Sequence, residues 1–234
     1  MLCVTLINHV PKESGLAEKS YANFGNAPYR ALVQTQKRFI AIFDEFLESV
    51  VQQAIDRSGR RIRDIKSYID TRRDTGGVRP TLVLTELGLD MDIPDEVISH
   101  PAIQVMITAT NDMVCLFNDM ISYNVEQARG DDHNIVAIVM HEFDTEVNSA
   151  MLWVADLHKE VEKNFSEAMA ALPKWGKPID SQVRKYCDGL GSWVRGNDEW
   201  SLEFREQEVP LFQWSRNSKE EVEFPDAEGL PDRP

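Results

Sequence analysis

Three oxygen-bearing side chains, Asn118, Ser122 and Glu126, stand four residues apart near the end of a long apolar segment that begins at about Pro101. On a helix of 3.6 residues per turn they emerge from one stripe and offer their oxygens to one point. An amide carbonyl, a hydroxyl and a carboxylate together suit a small hard cation such as Mg2+, which takes oxygen ligands and keeps part of its shell for water or phosphate. Their neighbours Met113, Val114, Leu116, Phe117, Met120 and Ile121 are mostly apolar, so the stripe is expected to look into a dry interior, where polar groups need a reason to be. The bland reading of the same spacing is a solvated helix face that matches by chance. Asn197-Asp198 with Ser201 begins the same pattern, but the next position on that stripe is Arg205, a cation where a ligand should stand. Only the first stripe is complete.

The run Asn118-Asp119-x-x-Ser122-x-x-x-Glu126, continued by Gln127-Ala128-Arg129-Gly130-Asp131-Asp132-His133-Asn134, resembles the second metal motif of class I terpene synthases, specifically the sesquiterpene cyclases of mushroom-forming fungi. The resemblance extends from about Tyr29 to about Glu203. It includes the Ser58-Gly59-Arg60-Arg61 turn, Tyr68 with Arg72-Arg73, Pro94-Asp95-Glu96-Val97, and Trp193-Val194-Arg195-Gly196-Asn197-Asp198.

The resemblance implies an all-α fold, an incomplete class I terpenoid synthase helical bundle, with Mg2+ as cofactor and a prenyl diphosphate, farnesyl diphosphate, as substrate. Arg72 lies where the family carries the arginine that senses the diphosphate, and Gly76 falls where its effector carbonyl sits. A guanidinium suits that task, because its planar fork binds phosphate oxygens bidentately and keeps its charge. Arg73 is the alternative to Arg72, and a helix-end ion pair of Arg72 with Asp70 or Asp74 is the plain structural reading. The implied chemistry is ionisation of the diphosphate followed by cyclisation of an allylic cation in a water-excluding pocket.

Two departures from the family pattern stand out. Its aspartate-rich metal motif and the helices before it are not found toward the N-terminus. The Arg-Tyr pair expected after Trp200-Ser201 is missing too, since Arg205 is followed by Glu206. Asp44-Glu45-x-x-Glu48 imitates the aspartate-rich motif but lies too close to Asn118 and reads as the solvated face of an amphipathic helix. The chain thus resembles a member truncated at its N-terminus, for which weak turnover or none is implied. A catalytically inactive remnant and a helical binding module are the alternatives. A bundle without its first helices should also leave an apolar patch exposed and pair with another chain, a homodimer included.

Composition excludes several classes. With 234 residues, of which 42% are hydrophobic and 27% charged, the chain can bury one sizeable core. A formal charge of -14 argues against nucleic acid and against an anionic membrane as partners. Cys3, Cys115 and Cys187 form no paired framework and fit a reducing, cytoplasmic setting. Met1 to Val10 is apolar but lacks a basic leader and is too short to span a bilayer, and no later run reaches membrane-spanning length. His141-Glu142 has Thr145 where a zinc-binding helix needs a second histidine, and neither a Walker-type glycine loop nor a Gly-x-Ser-x-Gly elbow is present.

Apolar spacing of three and four predicts helices over Tyr29 to Arg57 and about Arg60 to Arg73, the second stopping at Gly76-Gly77. A short helix or turn is expected at Thr81 to Leu87 and another turn at Asp95 to His100. Pro101 then sits at the first position of the helix carrying the stripe, which should end near Arg129-Gly130. A long helical pattern follows from Asn134 to Leu172, open to interruption near Phe143 to Thr145, with Trp153, Val154, Leu157, Val161 and Phe165 inward. Pro173 and Pro178 bracket a linker before a last helix over about Ser181 to Glu206. Residues 1–28 read as an irregular segment, 29–209 as the helical domain, and 210–234 as an acidic, disordered tail.

Overall fold

The computed structural model describes residues 29–59, 62–89, 91–131 and 133–208. Within them the chain forms eight α-helices and no strand: α1 (Tyr29–Ser58), α2 (Ile65–Thr75), α3 (Val78–Gly88), α4 (Asp95–Ile98), α5 (Pro101–Ala128), α6 (Ile135–Phe143), α7 (Val147–Ala170) and α8 (Ile179–Glu208). The expected all-α class is therefore the observed one. The expectations for 1–28 and 210–234 fall outside the described residues.

Local chemistry explains where the helices begin and end, including the places where spacing misled. The second helix starts at Ile65, not Arg60, because Asp64 is its N-cap and accepts from Ser67 N at 2.8 Å. Glu142 of α6 satisfies a second free donor there, accepting from Ile65 N at 2.8 Å. The stretch from Thr81 to Leu87 belongs to a full helix that begins at Val78, with Pro80 in the first turn, where its missing N–H costs nothing. Pro101 takes the first position of α5, as expected, behind His100. The long pattern from Asn134 is cut into α6 and α7 at Asp144, whose φ of 49° is left-handed and closes α6 with a bond to Met140 O. α8 begins at Ile179 and runs to Glu208, slightly beyond both expected ends.

α5 is the shared wall of two cores. On one side Val78, Leu82, Ile98, Ile103, Met106, Val114, Tyr186 and Leu190 join α3, α4 and α8 to it. On the other, Ile65, Tyr68, Leu116, Tyr123, Val136, Trp153 and Val154 join α2, α6 and α7. Trp153 and Val154 point inward as the spacing implied, while Leu157, Val161 and Phe165 are partly buried against these cores. From Ala109 to Leu116 every residue of α5 is buried, so the helix is covered on all sides there. α1 is different. It packs on α2 and α3 but leaves Ile40, Val51 and Ile55 more than half exposed.

Candidate functional site

α5 carries Asn118, Ser122 and Glu126 on one stripe, each half-buried. Asn118 Oδ1 accepts from Arg72 Nη2 at 2.9 Å. Ser122 donates weakly to Asp119 O of its own helix at 3.5 Å. Glu126 Oε2 accepts from Asn134 Nδ2 at 2.9 Å. The stripe spans about 12 Å along the axis at 1.5 Å per residue, with Arg72 at its N-terminal end and Asn134 at its C-terminal end.

Arg72 is not a surface ion-pair residue. Asp70 pairs instead with Lys66 and Arg73, and Asp74 with Arg79. The Arg72 side chain crosses from α2 to α5, where Nε and Nη2 donate to Asp119 Oδ1 at 3.0 and 2.8 Å. The other Asp119 oxygen accepts from Tyr68 OH at 2.6 Å and from Ile135 N at 3.2 Å. Burial lowers the affinity of the Arg72 guanidinium for its proton, but the Asp119 carboxylate outweighs this and holds its pKa well above the ordinary value. Tyr68 is also pushed well up, by burial first and by Asp119 second, so its hydroxyl keeps its proton. Both Asp119 oxygens are thus taken by donors of the protein. Although it is next to Asn118, its role here is to hold Arg72.

Arg73 occupies a parallel position one residue on. Its Nε and Nη2 grip both oxygens of Asp112, each at 2.8 Å. Burial raises the Asp112 pKa, with Arg73 acting against the rise. Arg72, Arg73, Asp112 and Asp119 all line a cavity of about 380 Å³ between α2, α5 and α7, floored by Leu116 and Trp153. Asn118, Ser122 and Glu126 are not among its lining residues, so the arginines and the stripe share the Arg72–Asn118 bond and not this cavity. Gly76 caps α2 beneath Arg72, its N–H bonded to Arg72 O at 2.9 Å. A Cβ at Gly76 would lie 2.5 Å from Cys115 Sγ, so the closeness of α2 to α5 requires glycine there.

Spacing alone assigns no role to Asp112, Asp119, Tyr68 or Asn134, all of which hold site residues in place. Two of them had a signal. Asp112 and Asp119 are seven residues apart in an apolar segment, hence on one stripe of a helix expected to be buried, and a buried carboxylate requires a cation. Asn134 had none, because its partners Asp119 and Glu126 meet it only once the chain has turned after α5.

The stripe's donor set fits Mg2+ in kind: three oxygens with one formal charge. The Asn118 oxygen already faces a positive group, the Arg72 guanidinium. Among the described residues no group of three or more His, Cys, Asp and Glu side chains could hold a metal ion, so a site here depends on the amide and hydroxyl oxygens. The Asp44, Glu45 and Glu48 side chains are exposed on α1, and Glu45 pairs with Arg79 at 2.9 Å, as a solvated face does. No helix among the described residues is long and apolar enough to cross a membrane.

The sequence and the fold are shared with known proteins. The family model described as terpene synthase family 2, C-terminal metal binding, matches residues 10–164. A Delta(6)-protoilludene synthase of Stereum hirsutum is 61% identical over 175 residues, covering 74% of this chain and 47% of the relative. Sesquiterpene synthase 9 of Postia placenta is 49% identical over 174 residues, covering 74% and 50%. The chain therefore spans about half the length of these curated relatives. Among solved structures, a linalool/nerolidol synthase from Streptomyces clavuligerus in complex with 2-fluorogeranyl diphosphate superposes with a TM-score of 0.68 at 22% identity, covering 74% of this chain and 59% of that one. An a-eudesmol synthase gives 0.67 at 20% identity, covering 73% and 56%. The helices are those of the class I terpenoid synthase fold, and the chain belongs to terpene synthase family 2.

Proposed function

We propose that this chain is part of a Mg2+-dependent sesquiterpene cyclase that ionises and cyclises farnesyl diphosphate, with Asn118, Ser122 and Glu126 as metal ligands and Arg72 as the diphosphate contact. The observation that carries the reading is the 2.9 Å bond from Arg72 to Asn118, which brings a partly buried cation from α2 to the end of the oxygen stripe on α5. The sesquiterpene synthase relatives supply the substrate class.

Each residue has a task that its surroundings support. Asp119 holds the Arg72 guanidinium from one side, so the fork is oriented before a phosphate arrives and little freedom remains to be lost on binding. Arg73, still 36% exposed, is a second cation within reach of the same anion. Gly76 allows α2 to approach α5 closely enough for Arg72 to reach across. The leaving diphosphate needs several positive centres at once, and Mg2+ bound to the stripe would supply charge that these arginines alone do not.

The test is incubation of the purified chain with farnesyl diphosphate and Mg2+, followed by analysis of volatile products beside Glu126→Gln and Arg72→Met. The expected result is a sesquiterpene from the parent chain and roughly 100-fold less from each variant, about 2.7 kcal/mol of lost transition-state stabilisation. Undiminished product from Glu126→Gln would sink the reading, as would no product from the chain joined to an upstream aspartate-rich helix. One oxygen stripe holds one ion, so turnover is expected to rise when an aspartate-rich helix is joined upstream of this chain. Equal turnover by the two would show the second set of ligands to be dispensable.

A further inference from the structure

Asn134 is fully buried, and its side chain uses both ends of the amide. Its Oδ1 caps α6, accepting from Val136 N at 2.9 Å. Its Nδ2 makes two bonds to α5, to Asp119 O at 2.7 Å and to Glu126 Oε2 at 2.9 Å. The next residue, Ile135, donates its N–H to the Asp119 carboxylate that grips Arg72. Two adjacent residues after the turn therefore touch both ends of the stripe: one binds Glu126, the other the carboxylate that holds Arg72.

An N-cap alone does not require this arrangement. Serine, threonine or aspartate would cap α6 as well as asparagine does. Of these four only asparagine carries its donor on a different atom from the capping oxygen, so Nδ2 reaches Glu126 while Oδ1 stays on the α6 backbone. The shorter serine or threonine hydroxyl would have to do both from one atom, and a carboxylate there would repel Glu126. A half-buried glutamate on a helix has several rotamers open to it, and one bond from a fully buried amide selects among them while occupying a single oxygen.

We propose that Asn134 is a positioning residue for the metal site: it fixes the Glu126 carboxylate by binding Oε2, leaves Oε1 as the oxygen for a divalent cation, and so sets the affinity of the stripe for that cation. The inference rests on the metal reading of Asn118, Ser122 and Glu126. Partners of metal ligands in this relation are worth about 10- to 100-fold in metal affinity when removed.

The experiment is a titration of the purified chain with Mn2+, a paramagnetic substitute for Mg2+, following the free-ion resonance signal. Three proteins are compared: the parent chain, Asn134→Ser and Glu142→Ala. Asn134→Ser keeps an oxygen to cap α6 but lacks the amide nitrogen that reaches Glu126 Oε2. Glu142→Ala removes a different buried-end contact of α6, to Ile65 N, and controls for a general loss of stability. The expected result is a dissociation constant raised about 10- to 100-fold in Asn134→Ser and by no more than about twofold in Glu142→Ala. Parent-like Mn2+ affinity in Asn134→Ser overturns the role assigned to Asn134 and leaves the metal reading intact. Equal weakening in both variants, tracking their loss of folded protein, also overturns it, since a merely structural role gives that pattern. Absence of Mn2+ binding by the parent chain overturns the metal reading itself and the positioning role with it.

Discussion

α1 and α5 are nearly equal in length, 30 and 28 residues, and both repeat apolar residues at helical spacing, yet the fold treats them in opposite ways. In the middle of α5, from Ala109 to Leu116, even the polar residues are enclosed, each with a partner. Thr110 donates to Met106 O, Asn111 to Arg73 O, and Asp112 accepts both arms of Arg73. In α1 the enclosed residues include Thr35 and Asp56, while Ile40, Val51 and Ile55 are 59%, 60% and 56% exposed. Apolar period therefore establishes that a segment is a helix with a greasy side. It does not establish that the side is covered. What separates the two is the rest of the circumference: α5 has eight consecutive buried positions, whereas α1 interleaves Lys37, Asp44, Glu45, Glu48 and Gln52, all exposed.

The largest test of this contrast is Asp119→Ala. It removes the carboxylate that faces Arg72, leaving the guanidinium only Asn118 Oδ1 and the Tyr68 hydroxyl only His133 O. A loss of about 3–5 kcal/mol is expected from urea unfolding, since removing one side of a largely buried ion pair leaves the other charge uncompensated. A loss below about 1 kcal/mol would mean that α5 is not enclosed as described. Gly76→Ala comes next. The added methyl group meets Cys115 Sγ and should cost about 1–3 kcal/mol by overpacking the α2–α5 contact.

A smaller effect is expected from pH. His133 packs edge-on against Tyr68, and burial lowers its pKa below the ordinary 6.5, with Arg57 adding to the shift and Asp131 opposing it. The unfolded chain then takes up a proton that the folded chain resists. Stability is fully present above 6.5 and falls as the pH drops toward the lowered folded value. Glu86 and Asp112, whose pKa values are raised by burial, act in the opposite direction as the pH falls further. Comparing urea midpoints at about pH 7.5 and about pH 5.5, the drop should be smaller in His133→Gln than in the parent. An identical drop would remove His133 as its source.

The smallest effect belongs to α1. Val51→Ala should change stability by no more than about 0.5 kcal/mol, because little is lost where little is buried. Replacing Ile40, Val51 and Ile55 together by lysine should leave stability near the parent's and lower any self-association seen by sedimentation. A large destabilisation by the triple variant would show that this face is covered in solution, and the contrast with α5 would fail.

Much of the fold was legible because its signals are local. The helical periods, Pro101 at the start of α5 and the break near Phe143 to Thr145 all came from neighbouring residues. The start of α2 is not legible from period alone, since the arginines before it fit a helical spacing and the N-cap at Asp64 sets the true boundary. At the site, the stripe could be written down from spacing alone, and Arg72 from the family resemblance. The partners that fix them could not. Arg72 gave two readings, surface ion pair or inward contact, and only the approach of α2 to α5 decides between them. Asn134 reaches Asp119 and Glu126 through a turn whose direction no short pattern encodes.

The placement of α5 between two cores has a consequence for how the protein comes apart. A helix that serves only one cluster can open with it while the rest of the molecule persists. α5 belongs to both, so neither cluster can be exposed without stripping one side of it. Its backbone amides from Ala109 to Leu116 should therefore exchange with solvent deuterium only through global unfolding and be among the slowest in the chain, whereas those at the exposed turns of α1 should exchange through local fraying.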